Sequence, residues 1–318
     1  MNISVIGCGR WGTFLAWYIS QINKKVMLYG REGSDNMDRL KRERNNGIIT
    51  LPDSVDLTTD IACVDIADVI VISIASQGLE SLMQQLAAKE LRNKIIVLCM
   101  KGLEVGTGRR LSEIVEDNLD SSNSVAVWLG PGHVQEFYNG IPNCMVIDSK
   151  NDDVKRILVE ELSSKIIRFY YGQDIIGNEI GAATKNVIGI AAGMLDGHNI
   201  SSLKGALMSR ATREISRLIE KMGGNKLSAY GLCHLGDYEA TVFSKYSHNR
   251  EFGERFVKGF PFDKLAEGYY TVSALRILQE KYSVDLPICM AVYRVLYEKA
   301  DSRAELDKLF ERSLKNEF

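Results

Sequence analysis

Short, almost unbroken runs of Val, Ile and Leu recur through the first half of the chain: "ISVIG" near residue 3, "VMLY" at 26, "DVIVISI" at 68, "KIIVLCM" at 94, "SVAVWLG" at 124 and "NCMVID" at 143. Between most of them lie segments whose apolar residues repeat with helical spacing, such as "GLESLMQQLAAKEL" and "GRRLSEIVEDNL". This alternation predicts a mainly parallel, doubly wound α/β sheet of the Rossmann-like kind. The last strand-like run is "KIIRFYY", ending near Tyr171. From residue 174 onward the strand signal disappears and long helical patterns take over. In "ALMSRATREISRLIEKMGG" the positions Leu207, Ala211, Ile215, Leu218, Ile219 and Met222 fall on one helical face, and "MGG" stops the helix. The pattern therefore divides the chain into an α/β domain, 1–173, and an all-helical domain, 174–318, without internal repeats or low-complexity tracts.

Length agrees with this division, since 318 residues suffice for two cores of ordinary size. Hydrophobic residues at 45% and charged residues at 25% give the balance of a soluble globular protein. A formal charge of −2 provides no broad basic field for nucleic acid or an acidic membrane, so any anion site must be local. The six cysteines (Cys8, Cys63, Cys99, Cys144, Cys233, Cys289) are scattered, without a CxxC pair or a Cys/His spacing suited to zinc. They read as reduced core thiols, and no metal site is expected. The chain opens directly on a strand, without a signal-type leader, and no apolar run approaches spanning length. A soluble, cytoplasmic protein without membrane insertion is expected.

"VIGCGRWG" sets Gly7, Gly9 and Gly12 at G-x-G-x-x-G spacing, after a strand and before the amphipathic "WGTFLAWYISQI". In that context the glycines permit a tight turn and let backbone N–H groups approach a dinucleotide pyrophosphate. The second strand ends "LYGRE", with Gly30 and Arg31 where an acidic residue would bind the ribose hydroxyls of NAD. Arg31 suits a 2′-phosphate instead, which favours NADP and leaves NAD open. "RLKRER", at 39 to 44, offers more cations but reads better as a solvated helix face.

Lysine is out of place in "EIGAATKNVIGIAAG". On a helix Gly181, Lys185 and Gly189 align, with Ala192 near the same line. That face is nearly bare apart from the amine, which suggests a groove for a cofactor ring or substrate. The plainer alternative is a lysine snorkelling past a helix contact. Buried lysines need partners, and "GLCHLGDYEAT" offers Asp237 in a short-residue turn, where it could also serve as a helix N-cap. "SHNREFG" gathers Ser247, His248, Asn249 and Arg250, donors suited to a phosphate or polyol, or simply an exposed loop. Lys101 stands at the C-terminal end of its strand, the edge where doubly wound sheets bind ligands, and "WLGPGH" forms a similar turn at Gly130 and Gly132.

Taken in order, "GCGRWGT", Lys101-Gly102, Gly130-Pro131, "KNVIGIAAGMLDG", "GLCHLGD" and "SHNR" resemble the NAD(P)-dependent glycerol-3-phosphate dehydrogenase family of the bacterial type over nearly the whole chain. The resemblance implies reversible hydride transfer between NADP or NAD and C2 of dihydroxyacetone phosphate, a small phosphorylated substrate. It implies Lys185 as catalytic acid-base, with Lys101 and Asp237 beside it. Cofactor positions would be Gly7, Gly9, Arg10, Trp11, Gly12, Arg31, Lys101, Gly130, Val134, His248 and Glu267. Substrate positions would be Lys101, Gly130, Lys185, Asp237, Ser247, His248, Asn249 and Arg250. Burial lowers a lysine pKa and a neighbouring carboxylate raises it, so Asp237 is expected to keep the amine protonated for reduction.

Three departures stand near the substrate. His248 replaces the family's first loop arginine, with Arg250 a candidate to compensate. The Gly-Pro-Ser-Phe-Ala turn is "GPGHV" here, losing a hydroxyl at Gly132. After "LDG" the chain is about one residue short, so that Asn199 or Ser202 would stand in at the substrate border. Two other readings therefore stay open: the same chemistry on another small phosphorylated or carboxylated ketone, and a dinucleotide sensor without turnover. "LPICMAVYRVLYEKA" suits either a homodimer face or core.

Overall fold

The computed structural model describes residues 1–22, 24–314, 316 and 317. It packs as two units, one of residues 1–101 and 109–179, the other of residues 102–108 and 180–318.

The first unit is built on an eight-stranded sheet in the order β3-β2-β1-β4-β5-β6-β7-β8. The strands are β1 (Asn2–Ile6), β2 (Lys25–Tyr29), β3 (Val55–Thr58), β4 (Val69–Ile72), β5 (Ile95–Leu98), β6 (Ser124–Leu129), β7 (Asn143–Ser149) and β8 (Ile167–Tyr171). All neighbours pair in parallel except β6 and β7. β4 is buried at every position, as a parallel strand with both faces covered must be. The helices are α1 (Arg10–Gln21), α2 (Asp35–Glu43), α3 (Leu79–Ala87), α4 (Leu111–Asn118), α5 (Val134–Tyr138) and α6 (Asp152–Leu162). α1 buries Phe14, Leu15, Tyr18 and Ile19, and Phe14 stacks on Phe137 of α5 with ring centroids 5.0 to 5.2 Å from its aromatic neighbours Trp11 and Phe137. β3 is absent from the sequence expectations. It is a four-residue edge strand, "VDLT", with exposed Asp56 in its middle, so no apolar run announces it.

The second unit is helical: α7 (Ile175–Gly197), whose first turn packs with the sheet, α8 (Lys204–Lys221), α9 (His248–Val257), α10 (Glu267–Tyr282), α11 (Pro287–Tyr297) and α12 (Ser302–Phe310). α8 buries the expected Ala211, Ile215, Leu218 and Ile219. It ends as "MGG" predicts. Gly223, at φ +86°, donates to Glu220 O at 3.1 Å and Gly224 donates to Ile219 O at 2.9 Å, the paired bonds of a glycine C-terminal stop. Glu214, on the buried face of α8, accepts from the N–H groups of Ile288 and Cys289 at 2.9 and 3.0 Å and so closes the N-terminus of α11. Burial pushes its carboxyl up to about 7. α11, from "LPICMAVYRVLYEKA", buries Ile288, Cys289, Val292, Val295 and Leu296. These positions serve as core of this unit. Among the described residues no helix is long and apolar enough to cross a membrane, and all six cysteines are free thiols.

Candidate active site

The glycine loop joins β1 to α1, and its three glycines do different things. Gly7 sits at φ +112° and donates to Tyr29 O at 2.9 Å; a Cβ there would overlap the Ser73 carbonyl oxygen. A Cβ on Gly12 would overlap the Gly7 carbonyl oxygen, so this glycine lets α1 lie against the turn. A Cβ on Gly9, the residue before α1, would meet nothing within 4 Å. One glycine turns the chain, one seats the helix and one leaves its N-terminus approachable, the division of labour a bound pyrophosphate requires. Gly9→Ala is expected to change unfolding free energy by less than ~0.5 kcal/mol yet weaken NADPH binding by ~10-fold or more, equivalent to ~1.4 kcal/mol. Fluorescence titration beside a denaturant melt checks both, and unchanged affinity would contradict the assignment of the loop.

Arg10 and Trp11 open α1; Trp11 is half-buried against Phe14 and Phe137. Arg31 is exposed just beyond β2. On α2, Arg39 pairs with Glu43 at 3.1 Å, as a solvated helix face would. Lys101, past the end of β5, donates from Nζ to Gly130 O at 2.6 Å, which brings the two predicted strand-end turns of this unit together. Val134 is buried at the start of α5. At Gly132, φ +137°, a Cβ would overlap the Phe137 ring, so the lost family hydroxyl cannot be restored here without moving that ring.

In the second unit Lys185 stands in the middle of α7 and is only 7% exposed. Its Nζ donates to Asp237 Oδ2 at 2.8 Å and to Thr241 Oγ1 at 2.8 Å. Asp237 is fully buried at the end of a short turn, Leu235–Asp237, and Thr241 follows within a single turn of π-helix, Glu239–Phe243. The Thr241 hydroxyl donates to Asp237 O at 2.8 Å, which leaves its lone pair for the ammonium. The carboxylate and the hydroxyl together fix where the ammonium stands.

The face of α7 around the lysine is not the ligand groove that its small residues suggest. A Cβ on Gly181 would stand 3.0 Å from His234 Cβ and one on Gly189 2.7 Å from Thr241 Cγ2, while one on Gly193 would overlap the Arg250 carbonyl oxygen. The glycines admit the chain between residues 234 and 250, and that close approach is what brings Asp237 and Thr241 to the amine.

Ser247 caps α9, its Oγ accepting from Arg250 N at 3.3 Å, and His248 is the first residue of that helix. Asn249 gives Nδ2–H to Asn186 Oδ1 at 3.0 Å and accepts from Gly268 N at 2.9 Å, linking the residue after Lys185 to the start of α10, where Glu267 lies. The Arg250 guanidinium is engaged by Asp196 at 2.6 Å and Glu254 at 3.3 Å, and Lys204 shares the same Asp196 oxygen at 2.7 Å. Asn199 and Ser202 are exposed beyond the C-terminal end of α7, ~18 Å of helix from Lys185 at 1.5 Å per residue. The helix runs on past the lysine for three further turns before the chain reaches either of them.

Sequence reasoning passes over His234, Thr241 and Asn186. Thr241 had a usable signal, since a hydroxyl four residues after Asp237 lies on the same helical face. His234 is fully buried. Burial lowers its pKa to about 4, Gly181 O and Asp237 acting in the opposite sense and Lys185 in the same sense. The folded imidazole therefore stays neutral while the unfolded one takes up a proton below pH 6.5, and stability falls as pH drops from 6.5 to about 4. The loss attributable to this residue is about 3 kcal/mol. Urea unfolding at pH 7 and pH 4 checks it: His234→Asn is expected to lose most of that pH dependence, and the same slope in both proteins would contradict it.

A cavity of about 680 Å³ in the helical unit is walled by apolar side chains such as Leu195, Ile288, Val292 and Leu306, and neither Lys185 nor Asp237 lines it. Its size alone does not make it a reactive site.

Family models described as NAD-dependent glycerol-3-phosphate dehydrogenase N-terminus and C-terminus match residues 2–155 and 174–307. A protein of Prosthecochloris aestuarii named glycerol-3-phosphate dehydrogenase [NAD(P)+] is 36% identical over 313 residues, 94% of each chain. One of the same name from Desulfitobacterium hafniense is 33% identical over 330 residues, covering 100% of this chain and 93% of its own. The crystal structure of glycerol-3-phosphate dehydrogenase from Coxiella burnetii superposes with a TM-score of 0.91 at 28% identity, covering 98% of this chain and 99% of that one.

Proposed function

The chain belongs to the NAD-dependent glycerol-3-phosphate dehydrogenase family, and on that premise we propose that it reduces dihydroxyacetone phosphate at C2 to sn-glycerol 3-phosphate, reversibly, with Lys185 as proton donor and acceptor. The bound NADPH or NADH supplies the hydride. Negative charge grows on the carbonyl oxygen as the carbon is reduced, and an ammonium beside that oxygen stabilises the charge and delivers the proton. Asp237 and Thr241 hold the ammonium in place. In the reverse direction the neutral amine takes the hydroxyl proton. The buried triad of Lys185, Asp237 and Thr241 is the observation that carries this reading. A dinucleotide sensor has no need of a buried proton donor, so the triad favours an enzyme over a sensor. A cytoplasmic location is part of the proposal, supported by six free thiols.

A second substrate reading has a specific observation behind it. His248 takes the place of the family's phosphate-binding arginine, imidazole cannot make a forked contact, and Arg250 is engaged by Asp196 and Glu254. Another small phosphorylated or carboxylated ketone would then be the better substrate. One spectrophotometric experiment separates the readings: NADPH and NADH, each with dihydroxyacetone phosphate and a panel of phosphorylated and carboxylated ketones. Fastest oxidation with dihydroxyacetone phosphate is expected. Preference for another ketone would select the second reading, and cofactor binding without oxidation of any ketone would overturn both.

A further inference from the structure

Lys185 and Asp237 come from different elements, and an ion pair does not by itself fix where its two backbones stand. His234, three residues before Asp237, ties those backbones together without using the ammonium or the carboxylate. Its Nδ1 lies 2.9 Å from Gly181 O, one turn before Lys185 on α7, and 3.3 Å from Thr184 Oγ1. A carbonyl only accepts, so Nδ1 carries the proton and Nε2 presents its lone pair. The Tyr238 hydroxyl, 2.7 Å away, donates to that lone pair. On the main chain, His234 O accepts from Asp237 N at 3.0 Å. The ring is therefore bonded to α7 on one side and to the residue after Asp237 on the other, while its own carbonyl holds Asp237 itself. His234 and Tyr238 are both fully buried and their rings meet edge to face at 4.9 Å, so the assembly is packed as well as bonded.

We propose that His234 is a positioning residue, a strut that sets the spacing between α7 and the Asp237 turn and through it the aim of the Lys185 ammonium. The proposal rests on the reading of Lys185 as the proton donor. With both ring nitrogens engaged and the side chain fully buried, His234 acts through the pair and is not a second acid-base group.

Three variants separate its bonds. His234→Phe keeps ring bulk and removes both side-chain bonds. His234→Asn sets an amide N–H near the place of Nδ1 and keeps the bond to Gly181. Tyr238→Phe removes the bond to Nε2 and, with it, the hydrogen bond between the Tyr238 and Thr212 hydroxyls, while leaving the bond to Gly181 in place. Two readouts are taken on each folded protein: kcat with dihydroxyacetone phosphate beside the NADPH dissociation constant, and the rate at which Lys185 is labelled by an amine-acylating reagent, read by peptide mass spectrometry.

In His234→Phe, kcat is expected to fall ~10-fold or more, the scale of a misaimed catalytic group, with NADPH affinity unchanged and Lys185 labelled several-fold faster. His234→Asn is expected to recover most of both losses, and Tyr238→Phe to show smaller changes in the same direction. A residue that only adds stability would lower the unfolding midpoint and leave kcat and labelling rate as in the wild type; that result overturns the proposal. If His234→Phe does not fold, Tyr238→Phe decides in the same way. If the wild type turns over no ketone, the reading of Lys185 fails, and the labelling rates still decide whether His234 sets the pair.

Discussion

Lys185→Ala is expected to lower kcat for ketone reduction by ~100-fold or more, the usual worth of a positioned proton donor. The NADPH dissociation constant is expected to stay within about twofold, since the glycine loop is untouched and contributes its own binding energy. The reason for the size of the loss lies in the timing of charge. A ground-state carbonyl gains little from the ammonium, whereas the oxygen bearing the new charge gains much, so the missing group is felt in the transition state and appears in kcat. Removing the lysine also leaves the buried Asp237 carboxylate without its 2.8 Å partner, so activity must be expressed per folded molecule. Stopped-flow NADPH oxidation at saturating ketone, with cofactor titration beside it, separates the two quantities.

The second large effect is on stability. Asp237→Ala leaves an ammonium only 7% exposed without its counter-ion, and breaking a buried pair from one side typically costs about 3–5 kcal/mol. The double variant Lys185→Met with Asp237→Ala removes both charges and is expected to regain a good part of that loss, because an apolar side chain in the same space needs no partner. Urea melts of the wild type, Lys185→Met, Asp237→Ala and the double variant close the cycle. A coupling near zero would mean that the pair is solvated and would remove the basis for treating Lys185 as a held, charged group.

These effects follow from residues that the sequence only partly discloses. β4 and β5 stand out as apolar runs because parallel strands are covered on both faces, whereas edge strand β3 has Asp56 open to solvent and breaks its own pattern. Division by element type separates strands from helices at residue 173. Packing instead keeps the first turn of α7 with the sheet, because buried Glu179 accepts from Ser112 N at 2.9 Å and pairs with Arg110 at 2.6 Å.

At the site, the pairing of Lys185 with Asp237 was legible because a cation in an apolar helix needs a counter-charge and a short-residue turn supplies one. What covers the glycines of α7 was not legible. Small residues admit a ligand or another stretch of backbone equally well, and only the folded chain shows that Thr241 and the Arg250 carbonyl fill that space. His234 was hidden for a related reason, since its partners Gly181 and Tyr238 carry no pattern that marks them as its hydrogen-bond partners.

The role of the amine can be tested by giving it back. Turnover of Lys185→Ala is measured as ethylamine is added at fixed pH, with saturating NADPH and dihydroxyacetone phosphate. A proton donor lost from this position predicts a variant at least ~100-fold slower than wild type whose rate climbs with ethylammonium concentration. Wild-type turnover by the variant before any amine is added would contradict it.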